Sequence, residues 1–166
     1  MTVVVADTSP LNYLIIIDAI DLLRRLYGRI IIPAEVLNEL VDEGAPRQVR
    51  AWAESLPDWV EVRSVPLIND PALALLDQGE RCAILLAQFE AEVLLLIDDA
   101  AGRLEASRRG IPITGTIGVL QAASISGIVD LPSALARLVA TNFRISRPLL
   151  VEMIAEDATR KRQRLQ

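Results

Sequence analysis

Apolar residues fall along this chain in two kinds of run. Short unbroken ones, TVVVAD (2–7), RIIIP (29–33) and EVLLLID (92–98), show no alternation and predict strands buried on both faces. WVEVRSV (59–65) alternates as an edge strand does, and IPITG (111–115) predicts one more strand. Between them lie segments with helical spacing. The first, 9–28, opens with Ser9 as cap and Pro10 in the first turn and closes at Gly28; the next, 33–44, runs from Pro33 to Gly44. Further helices are expected over 45–56, 79–91, 100–110, 116–128 and 131–142, with a loop and short helix over 69–79. A basic tail follows SRPLLVEMIAEDA (146–158). Strands alternating with helices predict an α/β fold, a central mostly parallel sheet covered on both faces. Neither a repeat nor a linker interrupts it, so one domain over 1–166 is expected, its core at about 1–145 and a helical, basic C-terminal segment at 146–166.

Composition narrows the chemistry. The chain is 52% hydrophobic with mean hydropathy +0.36, yet no apolar run approaches the ~18 to 20 residues of a membrane span. A soluble protein is expected, with apolar surface suited to a homodimer. No basic and apolar export signal opens the sequence, which makes the cytoplasm the expected location. The sole cysteine, Cys82, falls in the apolar helical run CAILLA and reads as a buried inert thiol. There is no histidine, which excludes His triads and His-ligated zinc, and the only lysine, Lys161, lies in the charged tail, away from any P-loop or Schiff-base context. Carboxylates, hydroxyls and arginines remain. A net charge of −5 argues against a protein that coats nucleic acid, but not against an acidic site that holds metal.

Ligands of parallel sheets gather beyond the carboxyl ends of the strands, and there the acids stand. Asp7 ends the first strand and is left over if Ser9 caps the helix. Asp98 and Asp99 end the EVLLLID strand side by side; one suffices to cap the helix at Ala100, and spacing does not say which. Glu39 lies roughly 130° from the centre of the apolar stripe Val36, Leu37, Leu40 and Val41, so it can flank a cleft, whereas Glu35 and Asp42 point almost directly away. Glu80 either completes a capping box with Asp77 or stands at the mouth of an apolar row, Ile84, Ala87 and Ala91, as part of a site. Thr114 and Thr116 in TGT offer hydroxyls or a close backbone approach to phosphate. Four acids converging within ~4 to 6 Å require a divalent cation, and oxygen-only ligands favour Mg²⁺ or Mn²⁺. Such clusters serve phosphodiester cleavage.

In VVVADTSPLNYL, IIPAEVLNEL, GERCAILLA and LLLIDDAAGRLEASRRGIPITGTIGVL, taken in order and through about Leu120, the chain resembles the PIN domain, the acidic ribonuclease fold of VapC-type toxins in toxin–antitoxin pairs. The resemblance implies a three-layer α/β/α sandwich and a metal-dependent endoribonuclease acting on RNA, with a cognate antitoxin as partner. It places Asp7, Glu39, Glu80 and Asp99 at the family's acidic positions, with Asp98 as reserve ligand, and Thr8 and Ser9 at the hydroxyls beside the first aspartate. The chain departs from many such toxins in having Glu80 where they carry aspartate and in doubling the aspartate at 98–99. Arg103, Arg108 and Arg109, beyond the double aspartate, are candidates for the RNA backbone. Two other classes are weighed beside it: a non-catalytic PIN-fold module that binds nucleic acid or a protein partner, and an aspartate-dependent phosphotransfer domain, which would need a lysine near the site.

Overall fold

The computed structural model describes residues 1–66 and 68–166. Two compact units divide it, Met1–Thr116 and Ile117–Gln166. The first holds all the strands: β1 (Val3–Ala6), β2 (Ile30–Pro33), β3 (Val60–Arg63), β4 (Val93–Leu96) and β5 (Ile113–Thr114). They form one all-parallel sheet in the order β3-β2-β1-β4-β5, within an α/β/α fold of the expected class. Val5, Ile31 and Ile32, Leu95 and Leu96 are buried, as continuous aliphatic runs must be when both faces of a parallel sheet are covered. β3 lies at one edge, where Val60 is buried but Val62 is 38% exposed, so the alternation in its sequence does not become an alternation of burial; the two-residue β5 lies at the other edge.

Helices α1 (Thr8–Ile16), α2 (Asp21–Tyr27), α3 (Ala34–Val41), α4 (Arg47–Glu54), α5 (Gln78–Gln88) and α6 (Ala100–Arg108) connect these strands, with a 3-10 turn at Pro71–Leu73. On one face the odd-numbered residues Val5, Leu95 and Ile97 join Ile31 in a core with Cys82, Ala83, Ile84, Leu86 and Ala87 of α5. This makes α5 the most deeply buried helix of the unit, and it fixes where its N-terminus must emerge. Cys82 is buried, as expected, and its thiol is pushed up to about 11 by burial first and then by the neighbouring Glu35 charge, so it is inert.

The long helix expected over 9–28 is two helices. Asp18 adopts φ 57°, and the N–H groups of Asp18 and Ala19 turn back to Ile15 O (3.0 Å) and Leu14 O (2.7 Å). A short polar side chain tolerates this left-handed backbone, and the break lets Ile17 and Ala19 both point inward. The helix also starts two residues earlier than a Ser9 cap predicts. Asp7 occupies the cap position with φ −82° and ψ 170°, but its carboxylate makes no capping bond, and Ser9 lies inside the first turn.

The second unit contains the rest of α7 (Thr116–Ile125), then α8 (Leu131–Val139) and α9 (Arg147–Arg164). What reads as a basic tail is the last turns of α9. Lys161 in those turns reaches Asp157 (2.8 Å) and Asp130 (3.0 Å), and Asp157, only 2% exposed, accepts a bond from Ser124 (2.7 Å). Burial pulls the Asp157 carboxyl up, but the bonds from Lys161 and Ser124 outweigh it and leave the group below its ordinary range. Among the described residues, no helix is long and apolar enough to cross a membrane.

Candidate functional site

Strand order decides where the acids meet. The chain moves from β1 outward through β2 to β3, then returns to the other side of β1 for β4 and β5, so the order reverses at β1. A crevice opens at the carboxyl end of such a strand. Asp7 stands there, its N–H still paired to Leu96 O (2.9 Å) as though the strand continued. Glu39 arrives on α3, Asp77 and Glu80 at the N-terminus of α5, and Asp98 and Asp99 from the end of β4.

One carboxylate oxygen each from Asp7, Glu39 and Asp77 lies within 4.8 Å of the others. Asp7 is 3% exposed, and its Oδ1 is buried with no hydrogen-bond partner among the described residues. A buried unpartnered carboxylate oxygen is costly unless a cation or a proton satisfies it. Burial accordingly pushes the Asp7 carboxyl well above its ordinary range; the Thr8 backbone N–H opposes this, while the charges of Asp77, Glu80 and Glu39 add to it. Glu39 is held from two sides, by the Thr8 hydroxyl and by the Gly79 N–H (2.9 Å). Gly79 is required for that approach: a Cβ there would lie 2.6 Å from Glu39 Oε2.

Of the two things weighed for Glu80, the capping box is formed. Its N–H donates to Asp77 Oδ1 (2.8 Å) and its Oε2 accepts from the Asp77 N–H (3.2 Å), a complete capping box. It is also only 8% exposed and adjoins the acids. Burial chiefly, then the Asp77 charge, push it up to about 7 against the Asp77 backbone bond, with Asp99 and Glu39 adding to the rise. Asp99 lies close enough to be felt there, yet Asp99 is the cap of α6, its Oδ2 accepting from Ala101 N (2.9 Å) and Gly102 N (3.2 Å).

Asp98 has a different position. It accepts from Ser9 Oγ (3.0 Å), Thr116 N (2.8 Å) and Thr116 Oγ1 (2.7 Å), and so ties the ends of β1, β4 and β5 together. Ser9 and Thr116 are thereby committed to Asp98, whereas Thr8 serves Glu39. Thr114 accepts through its carbonyl from Ile97 N (2.8 Å). Arg103 donates to Ile97 O (2.9 Å), Arg109 is paired with Asp70 (2.8 Å) and Glu105 (2.7 Å), and Arg108 is mostly exposed.

Asp77 is the member of the close triad that the sequence offered only as a cap. Its LDQGE context signals helix capping, and its proximity to Asp7 depends on where β1 and α5 meet. Glu35 also differs from expectation. Rather than facing solvent opposite the apolar stripe, it joins Asn38, Glu39 and Asp42 along one wall of a cleft of about 600 Å³, completed by Asn12 of α1 and Gln78 of α5.

Residues 3–158 match a family model described as a PIN domain. The chain belongs to the PIN-domain family. No curated protein matches it. The PIN domain is a nuclease fold whose nucleases use divalent metals, and the donor set here suits one. All its ligand atoms are carboxylate oxygens, which hard cations prefer, and the unpartnered Asp7 Oδ1 is the atom such an ion would satisfy. Oxygens on opposite sides of a Mg²⁺ ion stand about 4.2 Å apart. The oxygens of this PIN triad lie within 4.8 Å of one another, on the scale needed to enclose one ion.

Proposed function

We propose that this PIN domain is a metal-dependent endoribonuclease that hydrolyses RNA phosphodiester bonds with Mg²⁺ or Mn²⁺. The unpartnered, buried Oδ1 of Asp7 at the centre of the acidic triad carries the reading. In this proposal Asp7, Glu39 and Asp77 hold the ion, with Glu80 and Asp99 lining the opposite side. Asp98 acts through the turn it braces rather than by ligation. A bound ion would supply charge neutralisation at the phosphate and a water of lowered pKa, for in-line attack leaving a 5′-phosphate and a 3′-hydroxyl. The protein's own part is to hold the carboxylates in place: Thr8 and Gly79 fix Glu39, and the Asp77–Glu80 box fixes both acids of α5. Arg103, Arg108 and Arg109 remain the candidates for backbone contact, Arg108 being the most exposed.

The proposal treats residues 1–166 as one such domain. The resemblance to VapC-type toxins extends it to a cytoplasmic toxin with a cognate antitoxin and a homodimer, tested by growth arrest on expression and by molar mass in solution. Asp7→Asn tests the core. Mn²⁺-dependent cleavage of RNA should fall to background while the metal-free protein gains about 1 kcal/mol or more, because a buried amide carries no charge to desolvate. Undiminished cleavage by the variant overturns the reading.

A further inference from the structure

The cleft beside the acids has a composition that neither metal binding nor the backbone of a substrate explains. Helix α3 turns Glu35, Asn38 and Glu39 onto one face, at the i, i+3 and i+4 spacing, and these three line the cleft together with Asp42 at the helix's C-terminal end. Asn12 and Gln78 face them, and Pro46 and Val49 supply an apolar wall. Among the described residues, no lysine or arginine lines it. A phosphate would be repelled there, whereas a flat heterocycle with N–H donors would be matched on its edge and covered on its face. At about 600 Å³ the cleft has room for one base and part of its ribose. It takes in Glu39 of the acidic triad and Thr8, the residue after Asp7, so a nucleotide seated in it would place an adjoining phosphate beside Asp7.

We propose that this cleft is a base-reading pocket that takes one unpaired nucleobase next to the scissile phosphate, with guanine preferred and uracil disfavoured. The inference rests on the nuclease reading above. Glu35 and Asp42 are acceptors only; guanine alone among the bases presents two adjacent N–H donors, N1–H and N2–H, to a carboxylate, and its O6 suits a carboxamide donor from Asn12, Asn38 or Gln78. Uracil presents one N–H flanked by two carbonyls, which would face carboxylate oxygens. A basic side chain of a partner protein would satisfy the acids but not the carboxamides or the apolar wall.

The test is fluorescence anisotropy of labelled UUGUUU, UUAUUU, UUCUUU and UUUUUU on the full chain, with Ca²⁺ replacing Mg²⁺ to suppress cleavage. The G-containing hexamer should bind about tenfold or more tightly than the all-U hexamer, the discrimination of one bidentate pair. The preference should shrink in Glu35→Gln and Asp42→Asn, with Asn38→Ala, at an exposed position, as the variant least coupled to folding. Melting curves confirm that each variant is folded. Equal binding of all four hexamers, no binding, a preference that survives all three variants, or displacement by an arginine hexapeptide that discriminates the same variants would overturn the pocket. The two readings fail separately. Base preference without Mn²⁺-dependent cleavage would leave the pocket and remove the nuclease, and cleavage without preference would do the reverse.

Discussion

Replacing Gly79 by alanine adds one methyl group at the point where α5 comes closest to Glu39. The new Cβ would lie 2.6 and 2.7 Å from the two Glu39 oxygens and 2.9 Å from the carboxyl carbon. Ordinary contact begins near 3.4 Å, so the carboxylate must retreat by about 0.8 Å, well beyond the ~0.2 Å tolerance of metal–ligand distances. Losing one well-placed ligand should weaken metal binding by about 10- to 100-fold, or about 1.4 to 2.7 kcal/mol. At saturating metal that is a Tm increment smaller by about 3 to 10 °C, at about 2 to 4 °C per kcal/mol for a chain of this size. The metal-free protein should barely change, because alanine's helix preference of about 1 kcal/mol or less in a first turn offsets the displaced hydrogen bond. Differential scanning fluorimetry with and without millimolar Mn²⁺ reads both quantities. A variant that keeps the full Mn²⁺ increment refutes the reasoning, as does one whose metal-free form loses several kcal/mol.

The pH dependence should run in opposite directions with and without metal. Glu80 is raised from 4.5 to about 7, so its protonated form favours the metal-free fold. That contribution is fully present below about 4.5 and is lost as pH rises through about 7, amounting to up to about 2 kcal/mol after allowance for screening. The stability of the wild type relative to Glu80→Gln should therefore fall between pH 4.5 and 8 without metal, while Mn²⁺ affinity rises; a flat or rising metal-free difference would contradict the assignment. Asp98→Ala should destabilise by about 2 to 4 kcal/mol, since it strands the N–H and hydroxyl of Thr116, a residue with 0% exposure. Asp98→Asn, which keeps one acceptor oxygen, should cost about half of that in urea denaturation; a cost below that of typical surface substitutions would show that the brace is idle.

What the sequence discloses is local in kind. Unbroken aliphatic runs mark β1, β2 and β4, and acids just beyond them mark the crevice, because strand burial and the position of a strand's end are both written in adjacent residues. The helix wheel places Glu39 at a cleft correctly. It fails for Glu35 because the direction away from the apolar stripe is not solvent here: α1, α4 and α5 close around α3. Ser9 looks like a cap and instead serves Asp98, a partner 89 positions away that no local pattern announces. Asp77 and Glu80 carry a capping signal that is true, and it conceals that the same two side chains stand among other acids. The break at Asp18 escapes notice because apolar periodicity continues through it.

The placement of β1 between β2 and β4 also sets an order of assembly. Asp7, Glu39, Asp77 and Glu80 all precede β4, yet β1 is held on one side only until Val3, Val4, Val5 and Ala6 pair with residues 93–96. During synthesis the acids are exposed to water one after another, each with its own screening ions and none near the others. Their mutual repulsion is met only when the last interior strand docks, so a cation present at that moment opposes the repulsion and favours closure. A nascent or truncated chain that stops short of β4 carries four of the acids but no crevice, and under the proposed nuclease function the capacity to cut would appear only with the completed sheet.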